Sequence, residues 1–260
     1  MAYITFRGID FRYGLDDPLI IRNFNLELTR GELFTLVGPS GCGKTTVLHM
    51  LAGFEAPSAG ELLVDARSVR GPQRDRIVIF QEPDSLYPWL TGLENVEFPL
   101  RVMGVPRADR RSRAEEALRL VGLHGHGEKH PGHLSGGMKQ RIQLARALVL
   151  DAPVLLMDEP FAALDAQTRQ ILQEELVQIA ARTQRTILFI THDIQEAIFL
   201  ADRIGVMTAG PEATLKTIVD VPLPRPRMRG SVQFGQLYEE INQVLSVEVR
   251  RVLRREDSLL

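Results

Sequence analysis

A glycine-rich loop between an apolar run and a helical pattern constrains this chain more than any other feature. The run LFTLVG (33–38) predicts a strand buried on both faces, and KTTVLHMLAGF (44–54) predicts a helix. Residues 38–45 between them have the pattern Gly-x-x-x-x-Gly-Lys-Thr. Glycines let such a loop turn its amide N–H groups inward, and the following helix adds the positive end of its dipole. The sequence therefore predicts a phosphate-binding loop.

The residues of this phosphate loop (38–46) have distinct expected roles. Lys44 is expected to reach the β- and γ-phosphates of a nucleotide, and the Thr45 hydroxyl to bind Mg²⁺. Cys42 is interpreted as a loop filler without a redox role. The alternative is a strand-to-helix turn without a ligand, which the complete motif in its required context disfavours. The expected binding residues are Gly38, Pro39, Ser40, Gly41, Cys42, Gly43, Lys44, Thr45 and Thr46.

Further polar residues end other predicted strands. After the apolar run VLLM, Asp158 is placed to hold Mg²⁺, and Glu159 to orient a water and accept its proton. A surface acidic pair is the alternative for these two carboxylates. Gln81 is expected to contact Mg²⁺ or the attacking water, and His192 to join the catalytic groups. Because ligands of open parallel sheets bind beyond the carboxyl ends of the strands, we expect these residues to converge with Lys44.

The order of predicted elements indicates an α/β fold with a mainly parallel sheet covered on both faces. Alternating segments at 3–13 and 24–29 predict antiparallel strands. The segment 92–150 is helical in character and is interpreted as an insertion, and the tail after residue 210 as an appendage. Other strands are predicted at 76–81, 153–160, 186–193 and 203–208, and other helices at 107–123, 166–183, 194–201 and about 234–253.

Composition narrows the class of protein. The chain has 260 residues with 44% hydrophobic content, enough for a large core, and its formal net charge of −2 disfavours a bulk nucleic-acid binder. A single cysteine excludes an internal disulfide and favours a reducing compartment. We do not expect the N-terminus to be a signal peptide, and the apolar runs fall short of the ~20 residues of a membrane span. We expect a cytoplasmic protein or a peripheral one held by a partner.

The segment LSGGMKQR (134–141), called the signature segment below, looks like a helix start with Ser135 as N-cap. Two glycines in the first turn weaken such a helix. Together with GPSGCGKTT, Gln81, LLMDEP, AALD and THD, this segment resembles the nucleotide-binding subunit of an ABC transporter over about residues 3–210. The resemblance implies an ATPase that uses ATP and Mg²⁺. It also implies a P-loop NTPase (RecA-like) core at 1–85 and 151–210, with an N-terminal antiparallel β-subdomain and an inserted α-helical subdomain at about 86–150. A strand/helix tail at 211–260 follows.

In that family two subunits form a head-to-tail homodimer with ATP between them. The resemblance implies that Ser135, Gly136 and Gly137 contact the γ-phosphate of ATP bound to the partner. Asp165, in the AALD turn, is implied to lie near the partner's site. Tyr13 matches the position that stacks on adenine, and a plain strand aromatic is the alternative.

A finer resemblance points to importers of the nitrate, sulfonate and taurine group. It rests on the segments 80–96, 158–169 and 219–227. It implies a small anionic solute, with another small organic molecule such as a vitamin precursor as the alternative. A permease in the membrane is implied to dock near 81–100, where Tyr87 and Trp89 suit a groove or, alternatively, pack the loop. A periplasmic or lipid-anchored solute-binding protein would complete the complex, without nucleic acid, at the cytoplasmic face of the inner membrane.

Two other classes of protein were weighed. A P-loop kinase accounts for 38–45 but leaves the signature segment without a role. An ABC ATPase that does mechanical work without transport usually has paired units in one chain or a long coiled-coil insertion, and the sequence has neither feature.

Overall fold

The computed structural model describes residues 2–80, 86–162 and 164–257, the last two without their side chains. The chain forms two compact units, residues 1–73 with 184–260, and residues 74–183. Both units combine strands and helices, so the predicted α/β class is confirmed. Within the described ranges, every helix is too short or too polar to span a bilayer.

The first unit contains an antiparallel sheet built from the segments with alternating hydrophobicity. Its strands run in the order β2-β1-β4-β5, and Ile4 of β1 pairs with Leu28 of β2. One face of β2 is buried and the other exposed, as its alternating pattern predicts. The strands are β1 (Ile4–Phe11), β2 (Ile21–Leu28), β4 (Ala59–Val64) and β5 (Arg67–Ser68).

A second group of strands in this unit carries the phosphate loop. The central strand β3 (Leu33–Val37) is parallel to β8 (Thr186–Ile190) on one side and to β9 (Arg203–Met207) on the other. Every residue of β3 and β8 is buried, which confirms the prediction of strands covered on both faces. Strand β10 (Leu215–Asp220) pairs antiparallel with β9.

The helices of the first unit are α1 (Lys44–Ala52), α6 (Ile194–Leu200) and α7 (Val232–Asp257). Helix α7 packs against α6 and β9. It buries four apolar side chains, those of Phe234, Leu237, Ile241 and Leu245. The tail therefore packs onto this unit, and the sequence indicates the helix but not the surface that its apolar stripe covers.

In the second unit, β6 (Arg76–Ile79) pairs in parallel with β7 (Val154–Asp158), with Arg76 opposite Val154. Strand β7 is buried until Asp158, as predicted. Strand β6 differs from the prediction, because Ile77 and Val78 are only half-buried. These two side chains line a groove described below. The prediction for Gln81 lies outside the described residues.

The rest of the second unit is helical. Helix α2 packs against α3 and α4, and α4 also contacts β6 and α5. Helix α2 begins with a capping box in which Thr91 and Glu94 bond each other's backbone amides. The elements are α2 (Gly92–Val102), α3 (Arg107–Leu120), a short 3-10 helix (Pro131–His133), α4 (Gly136–Leu148) and α5 (Ala166–Thr183).

Candidate functional site

The phosphate loop connects β3 to α1 in the first unit, and close contacts require glycine at two of its positions, Gly38 and Gly43. Gly43 has φ +94°, and a Cβ added there would lie 2.6 Å from Cδ1 of Ile21. A Cβ added at Gly38 would lie 2.8 Å from Sγ of Cys42 and 3.0 Å from Cβ of Met207. Any larger residue at these positions would push the loop away from the strands beside it.

Lys44 is buried beneath this loop. Its ammonium Nζ donates to the carbonyl oxygens of Gly38 and Pro39, at 2.9 Å each. The hydroxyl-bearing residues Ser40 and Thr45 are exposed on the same segment. A buried cation and the first turn of α1 together favour the binding of a phosphate group.

Cys42 is 1% exposed and packs inside the loop. Burial raises the pKa of its thiol, and this effect exceeds the opposing influence of the nearby Lys44 ammonium. A buried thiol with a raised pKa is a poor nucleophile. The environment of Cys42 therefore supports its interpretation as a filler of the loop.

Tyr13 stands beside the first turns of α1. Its hydroxyl lies 3.4 Å from the Thr46 hydroxyl, and its ring meets the buried Phe11 ring edge-on at 5.0 Å between centroids. The Tyr13 residue is nevertheless 61% exposed. An aromatic ring fixed at its base, open to solvent and next to a phosphate loop can stack on a nucleobase.

His192 follows β8 at the same edge of the sheet as the phosphate loop. Leu36 of β3 pairs with Ile190 of β8, and the Thr191 amide donates to the Leu36 carbonyl at 3.3 Å. His192 itself is exposed, while Asp193 caps α6 by accepting two backbone N–H bonds. The structure thus brings His192 and the loop together beyond the ends of neighbouring strands.

Asp158 and Glu159 end β7 in the second unit, and both are half-buried. Glu159 has φ +44°, a conformation that is rare for residues other than glycine. Such a backbone costs about 1–3 kcal/mol and is found preferentially at functional sites. Glycine would adopt this turn without strain, so the glutamate points to a chemical role for its carboxylate.

The signature segment starts α4 as predicted. Ser135 is the N-cap, and its Oγ accepts the Met138 amide at 3.3 Å. The two glycines that follow differ in their surroundings. A Cβ added at Gly137 would lie 2.5 Å from Cγ2 of Thr168 in α5, whereas one added at Gly136 would meet no atom within 4 Å. Packing inside this unit therefore explains Gly137 and leaves Gly136 unexplained.

Asp165 has a structural role that the sequence analysis missed. Its Oδ1 accepts the backbone amides of Gln167 and Thr168, at 3.1 and 3.0 Å, and so caps α5. The bond from Thr168 is the main reason that the pKa of this exposed carboxyl is lowered. The first turn of α5 thus links Asp165 to Gly137 through Thr168. An Asp three residues before a threonine at a helix start was the available signal.

The second unit also has an apolar groove of about 570 Å³ between β6, α2 and α4. Its lining includes Ile77, Val78, Phe80, Tyr87, Phe98, Val102, Met103 and Arg146. The Tyr87 ring packs on Phe98, with 4.5 Å between centroids, and lies 5.5 Å from the Trp89 ring. Tyr87 therefore does pack the loop, whereas Trp89 remains 71% exposed.

Two polar residues that were not singled out in the sequence shape this groove. Asn95 is fully buried; its amide donates to the carbonyls of Tyr87 and Leu90, and its oxygen accepts the Tyr87 amide at 2.8 Å. It fixes the loop that carries the aromatic rings. Arg146 lies over the Tyr87 ring, 5.9 Å from its centroid, and burial lowers the pKa of its guanidinium.

Known proteins are similar to this chain. Residues 21–162 match the family described as ABC transporter. The chain is 47% identical over 238 residues to the taurine import ATP-binding protein TauB of Pseudomonas putida, covering 92% of this chain and 86% of that protein. It is 44% identical over 224 residues to the bicarbonate transport ATP-binding protein CmpD of Synechocystis sp., covering 85% and 79%.

One solved structure is similar in both sequence and fold. It is a dimeric ATP-binding cassette in a post-hydrolysis state, bound to ADP and Pi, with 29% identity and a TM-score of 0.70. The match covers 84% of this chain and 98% of that one. This likeness confirms the predicted P-loop NTPase fold.

Proposed function

Because the chain belongs to the ABC transporter family, in which it is an ATP-binding and ATP-hydrolysing subunit, we propose that it drives the import of a small anion. The observation that carries this proposal is its similarity, at more than 40% identity over most of its length, to proteins named for taurine import and bicarbonate transport. Both solutes contain a compact oxyanion group. Nitrate, an aliphatic sulfonate or taurine is the proposed kind of solute.

In the proposed binding step, the phosphate loop surrounds the β- and γ-phosphates of ATP. The Lys44 ammonium now bonds the carbonyls of Gly38 and Pro39, and it would turn part of its donor capacity to phosphate oxygens. Tyr13 would stack on the adenine, at the distance from the loop that its bond to Thr46 sets.

The residues present also suit Mg²⁺. The exposed Thr45 hydroxyl and the half-buried Asp158 carboxylate are the hard oxygen donors that this ion prefers, and Gln81 is a third proposed ligand. The described residues contain no group of three His, Cys, Asp or Glu side chains able to hold a metal, so substrate phosphates and water would complete the shell. The ion would neutralise charge on the β- and γ-oxygens.

In the proposed hydrolysis step, Glu159 orients a water molecule and accepts its proton. The water oxygen attacks the γ-phosphorus as the bond to the β-phosphate oxygen breaks, which leaves ADP and inorganic phosphate. His192, next to the loop, would donate to the γ-phosphate oxygens as negative charge shifts during the reaction.

Cassettes of this family form dimers, and we propose a head-to-tail homodimer here. In it, Ser135, Gly136 and Gly137 would face the γ-phosphate of ATP bound to the partner, and Asp165 would lie near the same site. The open space around Gly136 supports this assignment, because a position with no packing demand in its own chain is free to approach another one.

The two signature glycines should respond differently to replacement by alanine. Gly136→Ala should keep or raise the free energy of unfolding, since alanine favours a helix by up to about 1 kcal/mol over glycine. Gly137→Ala should lower it by about 1–3 kcal/mol through the clash with Thr168. Denaturant unfolding measures both. Only Gly136→Ala should combine full stability with at least about tenfold slower ATP hydrolysis; full activity in that variant would contradict the proposed contact.

The apolar groove is the proposed docking site for a membrane permease. Trp89, Val102 and Met103 expose apolar surface around it, and the buried Asn95 holds the rim in one conformation. An aromatic anchor beside a preformed apolar groove suits a helix of the partner. The chain would then lie on the cytoplasmic face of the inner membrane, in a complex that also contains a periplasmic or lipid-anchored solute-binding protein.

Deletion of the gene from the cells that make this protein tests the proposal. Uptake of one radiolabelled anion among taurine, aliphatic sulfonates, nitrate and bicarbonate should fall to background. The intact gene should restore it, and so should Leu253→Glu, a change at an exposed position of α7 that is not among the residues lining the groove. Met103→Glu should fail to restore it, although the purified variant still binds ATP, because a charge in the groove opposes apolar docking.

The remaining outcomes separate the alternatives. Unchanged uptake of all these anions would contradict the proposed solute class; co-purification of the chain with a multi-span membrane protein would then indicate an importer of another small organic solute. Unchanged uptake without any such membrane protein would indicate an ABC ATPase that works outside transport.

A further inference from the structure

Two side chains on one face of helix α7 form hydrogen bonds with the backbone between β9 and β10. Glu248 is fully buried, and its Oε2 accepts the Ala209 amide at 3.0 Å. Arg255, about two turns further along the helix, donates to the Gly210 carbonyl. A single short stretch of backbone is therefore held through both its donor and its acceptor.

That stretch packs directly against the phosphate loop. A Cβ added at Gly210 would lie 3.4 Å from the Gly41 carbonyl oxygen and 3.8 Å from Cα of Cys42. Just before it, Met207 meets Gly38 closely enough that a Cβ there would lie 3.0 Å away. The end of β9 thus supports the loop from behind.

The same connection also reaches the other end of the loop. The amides of Glu212 and Ala213 donate to the carbonyls of Leu19 and Ile20, at 3.0 and 2.8 Å. The neighbouring Ile21 is the residue that packs on Gly43. The connection from 208 to 214, called the brace below, therefore contacts the phosphate loop directly at Gly41 and Cys42, and it is linked to Gly43 through Ile20 and Ile21.

Glu248 is an unusual residue for the buried face of a helix. Its carboxylate bonds Lys216 at 2.6 Å and Arg251 at 3.1 Å in addition to the Ala209 amide. Burial raises the pKa of this carboxyl, but the bonds from Lys216 and Ala209 and the two nearby cations together lower it below its usual value. Buried ion pairs seldom stabilise a fold more than apolar packing would. What the carboxylate adds, and a leucine could not, is a fixed position for the Ala209 amide.

We propose that Glu248 is a positioning residue for ATP: through the brace, α7 holds the phosphate loop in its binding conformation. The inference rests on the proposed assignment of residues 38–46 to the phosphates of ATP. It implies that loss of the Glu248 contact weakens nucleotide affinity by disordering the loop, while the chemical step at saturating ATP changes less, because Glu248 touches none of the reacting atoms.

The test uses the full chain and ATP itself in titration calorimetry. Glu248→Ala should weaken ATP binding about fivefold to tenfold, which is the loss expected for one typical hydrogen bond. Glu248→Gln keeps an acceptor for the Ala209 amide, so its affinity for ATP should lie between those of the unchanged protein and Glu248→Ala. Hydrogen exchange of the amides in 38–46 should accelerate in the same order, and KM for ATP should rise more than kcat falls.

A matched variant separates positioning from general loss of stability. Ile241→Ala removes a fully buried apolar side chain from the same helix and keeps the carboxylate that bonds the Ala209 amide. It should lower the melting temperature at least as much as Glu248→Ala, yet leave ATP affinity within about twofold at temperatures well below unfolding. Equal losses of affinity in both variants would overturn the proposal, as would unchanged affinity in Glu248→Ala or, if that variant does not fold, in Glu248→Gln.

A Lys44→Ala variant separates the positioning role of Glu248 from the assignment of residues 38–46 to the phosphates of ATP. That variant should lose ATP binding whether or not α7 positions the phosphate loop. Retained binding in Lys44→Ala contradicts the phosphate-loop assignment, whereas lost binding in Lys44→Ala with unchanged binding in the Glu248 variants contradicts only the positioning role.

Discussion

Replacement of Glu159 by glutamine should stop steady-state ATP hydrolysis while ATP binding persists. Glutamine has nearly the same size and can still contact a water molecule, but it cannot accept the proton that the water must lose. A general base typically contributes about 10²–10⁴ in rate, so kcat for phosphate release should fall by that factor. The strained backbone of residue 159 is equally open to glutamine, so the fold should be unaffected.

The same variant should accumulate as an ATP-bound dimer, because the step that reopens the dimer no longer occurs. Light scattering of the purified protein with ATP and Mg²⁺ measures this directly. Glu174→Gln, at an exposed position of α5 in the same unit, provides a matched control that should retain normal turnover and a normal monomer fraction. Near-normal turnover in Glu159→Gln would exclude this residue as the base.

Ser135→Arg should abolish cooperative ATP hydrolysis and leave ATP binding by the isolated subunit within about twofold of normal. The Ser135 side chain is exposed and its intramolecular bond is one N-cap contact, so the change should cost about 1 kcal/mol of stability. A long cation at this position would obstruct the approach of another subunit's nucleotide. Ser135→Asn, which keeps the cap with a smaller side chain, should retain more activity than the arginine variant.

Mixing two inactive variants decides which chain the signature segment serves. In a head-to-tail dimer of one Ser135→Arg chain and one Lys44→Ala chain, one site combines an intact loop with an intact signature segment, and the other combines two defects. The mixture should therefore regain part of the lost hydrolysis. If the segment served its own chain, neither site would be intact, and the mixture would be as inactive as its components. Loss of ATP binding by monomeric Ser135→Arg would support that second arrangement.

The elements that the sequence predicted well are those set by local pattern. The helix at 166–183 has the predicted bounds, because the apolar stripe that indicates it lies within those residues. The buried strand, the phosphate loop and the helix after it follow from one contiguous motif. Strand β6 was less well described, because the half-burial of Ile77 and Val78 depends on which side chains stand opposite.

The contacts that the sequence did not reveal join residues that are distant along the chain or that look ordinary where they stand. Gly137 is required by its close contact with Thr168, and the Glu248 carboxylate accepts the Ala209 amide. No local sequence pattern indicates either of these contacts. Asn95 looks like a helix residue of no special importance until its bonds to Tyr87 and Leu90 are seen. Such residues act through long-range contacts rather than through a local motif, so the sequence alone did not identify them.

The position of Lys44 has a thermodynamic consequence. A free lysine side chain loses up to about 2 kcal/mol of rotamer entropy when it is fixed. In this protein the two loop carbonyls hold the ammonium within the folded chain. The ordering cost is therefore met during folding, and in the proposed ATP complex the ammonium would exchange one set of oxygen acceptors for another. Nucleotide affinity should accordingly depend weakly on side-chain ordering and strongly on the competition between carbonyl and phosphate oxygens for the same three protons.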